Sequence, residues 1–228
     1  MDELRAIDVL GKDWVVGVLL LVFGIVAWVN MASPRQWTVI QRSFFAFRLG
    51  KQSLRDELSL QDRTLVALLV VALVLIGLFS YQVVVFNGWV MPGIAVYGRI
   101  QGLVVAVLLA RILLLRGLAG LTDSDGGTAE YVYTLITFTI VLGLVLLPVA
   151  MLIAYPFHTA WRSWLWLVGV AVAAAVLLFR WLRAAVIGVG SGVPLRYIFI
   201  YLCAAESLPV SVALQQAPHY ILLPSQPL

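Results

Sequence analysis

The chain has 228 residues, of which 63% are hydrophobic and only 11% charged. Soluble domains carry about 45–50% apolar and about 25% charged residues, so these proportions exclude a soluble globular enzyme, a disordered tail and a nucleic-acid module. They leave a polytopic membrane protein. The net charge of +4 reads as the usual excess of Lys and Arg in loops between spans. The basic residues form no compact patch, so no nucleic-acid partner is expected.

A span needs roughly 20 apolar residues to cross about 30 Å of hydrocarbon. The N-terminal segment is net acidic and leads into an apolar run, which reads as a retained first span rather than a cleaved signal. That span covers Trp14 to Met31, between Asp13 and Pro34-Arg35. The second covers Thr64 to Phe86, after Ser59-Leu60-Gln61-Asp62, which matches an N-cap with an acid at N3. Asn87-Gly88 and Pro92-Gly93 mark a turn. The stretch from Phe86 to Gly98 reads as that turn or as a re-entrant segment.

The third span runs from about Ile94 to Leu121 and carries Arg99, Gln101 and Arg111; Thr122 to Gly127 punctuates its end. The fourth runs from about Tyr131 to Ala154, and the fifth from about Ser163 to Val186. Gly188-Val189-Gly190-Ser191-Gly192-Val193-Pro194 is expected to break the helix there. The sixth runs from Tyr197 to about Leu214. The expected fold is an all-α bundle of about six spans in one integral membrane domain over 1–228, with a loop at 35–58 and a tail at 215–228. No repeat of fixed period is visible.

Orientation follows from counting Lys and Arg in alternate loops. One set holds Arg35, Arg42, Arg48, Lys51, Arg55, Arg63, Arg111, Arg116, Arg180, Arg183 and Arg196; the other holds Arg5, Lys12, Arg99 and Arg162. Eleven against four makes the first set cytoplasmic and places both termini, with the 215–228 tail, outside. The outer side also carries Trp14, Trp89, Trp161, Trp164 and Trp166, as an interfacial aromatic belt does.

In the first cytoplasmic loop Trp37, Ile40, Phe44 and Phe47 recur at spacings of three and four, with Arg35, Arg42 and Lys51 largely off that stripe. This is the pattern of a basic amphipathic helix in the headgroup region. It reads first as a surface anchor that follows the positive-inside rule, and second as a docking helix for a partner.

Glu206 is the most informative residue. Measured from Arg196 it lies about 15 Å deep, at the bilayer midplane. A carboxylate there costs at least about 2.5 kcal/mol and must be paired, protonated or facing water. Arg111 and Arg99 on the third span bracket its depth, and Gln101, Thr134, Thr137 and Thr139 are neutral alternatives. Only one carboxylate lies deep, which favours a structural tie over a transport path. Pro209 follows three residues later and allows a local kink.

Catalytic and cofactor signals are few. Cys203 is the sole cysteine, and His158 and His219, the only histidines, both fall outside the spans. No metal, haem or other cofactor is expected. Gly188-x-Gly190-x-Gly192 lacks the dinucleotide spacing, and Asp123, Asp125 and Glu130 lack the twelve-residue calcium pattern. No nucleophile–base pair appears, so no enzymatic activity is expected.

The stretch Leu195 to Pro209 ends in Tyr-Leu-Cys-x-x-Glu-x-x-Pro. It resembles the closing signature of a family of Bacteroidota inner-membrane proteins classed as a domain of unknown function. Tyr201, Leu202, Cys203, Glu206 and Pro209 fit that signature, and Glu130-Tyr131 with Leu146-Leu147-Pro148 is similar to the family's fourth span. The uncharged, proline-bearing tail departs from the pattern. The resemblance implies a multi-pass protein of the bacterial inner membrane, in which Tyr201, Cys203, Glu206 and Pro209 act as one unit. It implies no activity.

The expectation is therefore a non-enzymatic accessory or scaffold subunit of an envelope membrane complex, in contact with membrane lipids and other integral membrane subunits. The alternative is a small transporter or channel, for a proton-coupled or lipid-like substrate, that uses Glu206.

Overall fold

The computed structural model describes residues 13–45, 63–122, 125–156 and 161–190. The described residues form six helices: α1 (Asp13–Ala32), α2 (Arg35–Phe45), α3 (Arg63–Phe86), α4 (Ile94–Thr122), α5 (Asp125–Ala154) and α6 (Arg162–Gly190). All but α2 are long and apolar enough to cross a membrane. The expected sixth span, the 215–228 tail and most of the 35–58 loop lie outside the described residues.

The five long helices alternate in direction. Val15 and Leu19, early in α1, pack with Leu78 late in α3 and with Ala150 and Ala154 late in α5. Val29, late in α1, packs with Leu65 and Leu68 early in α3 and with Leu135 and Ile136 in the first half of α5. Leu165 and Trp166, early in α6, meet Val149 and Ile153 late in α5. One end of the bundle, the tryptophan end, thus gathers Trp14, Trp89, Trp161 and Trp164. The other, the basic end, gathers Arg35, Arg63, Arg116, Arg180 and Arg183.

α3 and α5 form the centre. Buried residues on α3 include Leu65, Leu68, Ala72, Leu75, Leu78 and Gln82, which share one face at helical spacing. Gly143 of α5 lies directly against the Ala72 backbone, with no space for a side chain between them. Helices in lipid gain no hydrophobic free energy from meeting, so association depends on close packing through small residues. Gly169 of α6 leaves room for the Phe79 ring and the Val149 side chain. α1 and α4 pack mainly on α3 and also touch α5, whereas α2 and α6 pack mainly on α5.

The 87–93 connection is a simple turn. Gly88 has φ +70°; its N–H donates to the Val85 carbonyl and the Trp89 N–H to that of Val84. This is the glycine-terminated motif that caps orphan carbonyls at a helix C-terminus. The Asn87 side chain adds a bond of 2.8 Å to the Val83 carbonyl. Tyr81 and Tyr97 then face each other across the hairpin, which fixes α3 and α4 as antiparallel neighbours and removes the re-entrant alternative.

Two boundaries differ from expectation. α6 continues through Gly188 to Gly190, because an α-helix tolerates an isolated glycine at about 1 kcal/mol. α5 begins at Asp125, so Asp125-Gly126-Gly127 opens a helix instead of extending a turn. Pro148 lies inside α5 without ending it, in keeping with its place within the expected fourth span.

Gly143→Val is expected to lower the melting temperature of the full chain in mild detergent by several degrees, since overpacking costs about 1–3 kcal/mol. Gly24→Ala, whose added methyl meets nothing within 4 Å, should leave it unchanged or slightly higher; equal effects of the two would refute the close α3–α5 crossing.

Candidate functional site

Polar side chains inside the bundle fall into two tiers. One lies towards the basic end. Arg180 and Arg183, one turn apart on α6, are only 5% and 3% exposed. The Arg183 guanidinium carbon sits 5.7 Å from the centroid of the Phe138 ring. Phe138 stacks on Phe179 at 5.9 Å, and Phe44 of α2 touches both, at 5.1 and 5.3 Å. Thr137 is buried beside Phe138. An arginine keeps its charge in any protein environment, and a buried charge is tolerated only when paired and hydrogen-bonded. The aromatic face supplies part of that compensation, and both arginines engage further partners.

Arg111 belongs to the same tier. It stands seventeen residues from the start of α4, and Arg180 stands eighteen from the start of α6. At 1.5 Å per residue both lie about 26 Å from the tryptophan end, at the far boundary of a hydrocarbon layer about 30 Å thick.

The other tier lies near the tryptophan end. Trp14 of α1 packs edge-on to Tyr81 at 5.3 Å and against Tyr97 at 5.2 Å. Tyr81 and Gln82 are fully buried. The Gln82 amide nitrogen donates to the Ala150 carbonyl at 2.9 Å, which ties α3 to α5. Gln101 of α4 fills the space above Gly77 of α3, where any side chain would collide with it. The Gln82 and Gln101 side-chain oxygens and the Trp14 ring nitrogen are buried without a protein hydrogen bond. Arg162 closes this end by donating from Nε to the Ile153 carbonyl at 3.0 Å.

The residues singled out by sequence therefore separate. Arg99 and Arg111 stand twelve residues apart on α4, about 18 Å along the axis, and share no site. Gln101 lies with the tyrosines. Trp37, Ile40 and Phe44 turn their stripe onto the bundle: Ile40 is buried and Trp37 packs against the same cluster. The exposed Arg35 remains on the outer side of α2. Arg42 lies on α2, but its side chain is outside the described residues, as are Phe47, Tyr201, Cys203, Glu206 and Pro209. Among the described residues no three metal-ligating side chains come together.

Sequence reading missed Tyr81, Gln82, Arg180 and Arg183. Gln82 carried a signal, being a lone amide in the apolar stretch of α3. The two arginines fell near the inner end of the expected fifth span and were counted only as markers of the cytoplasmic side; they turn into the bundle.

The family model for a domain of unknown function, DUF4271, matches residues 15–215. The chain belongs to that family. No curated protein and no solved structure matches it. The DUF4271 match spans both polar tiers and extends over the 197–214 segment.

Gly77→Ala is expected to displace the end of the Gln101 side chain and destabilise the DUF4271 chain by no more than about 1 kcal/mol, the low end of overpacking. Most of that loss should return in a Gln101→Ala background, because the two sites couple sterically. Additive losses in detergent melting would refute the contact.

Proposed function

We propose that this DUF4271 protein is a non-enzymatic accessory or scaffold subunit of a protein complex in the bacterial inner membrane. In this reading it has six spans, a cytoplasmic basic end and both termini outside. The observation that carries the subunit role is the uneven burial of the helices. α3 and α5 are the most buried of the long helices, although each keeps some exposed apolar side chains such as Val66 and Val145, whereas α1, α4 and α6 turn most of theirs outward. Leu20, Leu21 and Trp28 on α1, Leu113 on α4 and Trp164 and Leu182 on α6 are all exposed. Such flanks suit lipid and partner helices alike. The outer side of α2 presents the exposed Arg35, a positive charge at headgroup level that suits anionic lipid or an acidic partner loop.

The orientation is supported by the gathering of basic residues at one end and tryptophans at the other. The inner-membrane placement is supported by the resemblance of the Tyr201 to Pro209 motif to Bacteroidota inner-membrane proteins.

Affinity purification of the tagged full chain from native membranes in mild detergent, followed by native mass measurement, tests the subunit role. A stoichiometric integral membrane partner is expected, and a partner-free monomer or homodimer would overturn it. For orientation, Asn87→Cys in a Cys203→Ser background should react with a membrane-impermeant maleimide from the periplasmic side; protection there would reverse the assignment.

A further inference from the structure

We propose that one water molecule is bound inside the junction of α1, α3 and α5, where it accepts from the Trp14 indole N–H and donates to the Gln82 side-chain oxygen. The site is built from the described helices alone and is independent of the subunit role.

The junction is set by Leu78. Val15 and Leu19 of α1 and Ala150 and Ala154 of α5 pack with it. Residues three and four further along a helix lie one turn on, to either side of the first. On α3 these are Tyr81 and Gln82, and both are fully buried. Tyr81 turns to the α4 side, where it meets Tyr97. Gln82 turns to the α5 side, where its amide nitrogen donates to the Ala150 carbonyl at 2.9 Å. Gln82 and Ala150 each stand four residues from the end of their helix, about 6 Å below the tryptophan end. Trp14 lies in the first turn of α1. Its ring is 5.3 Å from that of Tyr81 and packs against the Leu78 cluster. The indole therefore covers the turn of α3 that carries Gln82.

Two complementary polar atoms are thus left at one junction. Nε1 of Trp14 is a donor only, and Oε1 of Gln82 is an acceptor only. Both atoms are buried, and neither has a hydrogen bond to the other or elsewhere among the described residues. Apolar surroundings make such atoms expensive, and hydrocarbon supplies no alternative partner. On the α5 side the wall is Ala150 and Ala154, which present only methyl groups.

The pair dictates the chemistry of what joins it. The ligand must accept on one side, donate on the other, and be small enough for a site walled by fully buried side chains. A lipid ester carbonyl accepts but has no hydrogen for Gln82. An ammonium donates but has no lone pair for Trp14. Water does both. Its second hydrogen and second lone pair remain for the Tyr81 hydroxyl, which reaches towards the Gly93 backbone without a hydrogen bond of good geometry. Gln101 takes no part: its oxygen is pressed against Gly77, one turn before Tyr81 on α3.

Radiolytic hydroxyl-radical footprinting of the full chain in lipid nanodiscs tests the site, because radicals formed from a bound water oxidise the side chains around it. Tyr81 is the reporter. Phe79 is the reference, since it is also buried but packs in an apolar cluster. Tyr81 is expected to be oxidised about tenfold faster than Phe79. In Gln82→Met, which keeps the length and removes the oxygen, its rate should fall to within about twofold of Phe79. The exposed Trp164 should be oxidised alike in both proteins.

Tyr81 as slow as Phe79 in the wild-type chain would overturn the site, whether or not the variant folds. Unchanged Tyr81 oxidation in folded Gln82→Met would overturn it as well. Trp14→Phe and Gln82→Met that couple in melting temperature while wild-type Tyr81 stays unoxidised would show a direct bond in place of the water. None of these outcomes bears on co-purification, so the water site and the subunit role fail separately.

Discussion

The close crossing of α3 and α5, with Gly143 against Ala72, is the contact from which the rest of the bundle hangs. Inside a membrane the surrounding tails are as apolar as leucine, so burying one apolar helix against another releases no water. What remains is dispersion at short range, which falls steeply as helices separate. Gly143 allows α5 to approach until its backbone meets that of α3. Every other described helix rests on this pair: α1 and α4 mainly on α3, with further contacts to α5, and α2 and α6 mainly on α5. A side chain at position 143 would therefore move the platform for all the others.

The bundle's polar groups are distributed by the same logic. The middle layer, built around Val71, Leu75 and Val22, is apolar. Counted along the helices at 1.5 Å per residue, the Gln82 and Gln101 amides and the Tyr81 and Tyr97 hydroxyls fall within about 10 Å of the tryptophan end, and Arg111 and Arg180 about 26 Å from it. The tier near the tryptophan end joins helices through neutral contacts, such as the Gln82 bond to the Ala150 carbonyl. Hydrogen bonds of this kind average about 0.6 kcal/mol between membrane helices, so they adjust register more than they hold the fold. The arginine tier contains permanent charges, and misplacing one is far more expensive.

Much of the fold was legible in sequence because hydropathy alone reports a span. The Asp13, Arg63, Ile94 and Arg162 starts lie within a residue or so of expectation. The Asn87-Gly88 reversal was legible because only a glycine readily takes the φ of +70° found at position 88. The α2 stripe was also legible, but not what covers it: an apolar face reads the same whether lipid or protein lies against it. Phe44 on Phe138 and Phe179 is a tertiary fact. Arg180 and Arg183 were misread for a related reason. Near a helix end, an arginine that snorkels to water and one that turns inward have the same local sequence.

The lengths of the helices give the arginine tier a further meaning. α1 and α3, with 20 and 24 residues, extend about 30 and 36 Å, close to the thickness of a hydrocarbon layer. α4, α5 and α6, with 29, 30 and 29 residues, extend about 44 Å. A long helix can absorb surplus length by tilting, but a charge fixes where it meets the boundary. Arg111 and Arg180 lie at one depth on two separate helices, and Phe179 meets the surface helix α2 at that same level. The surplus therefore falls on the basic side, where the last turns of α4 and α6 and the first of α5 run about 15 Å past the tier at 1.5 Å per residue.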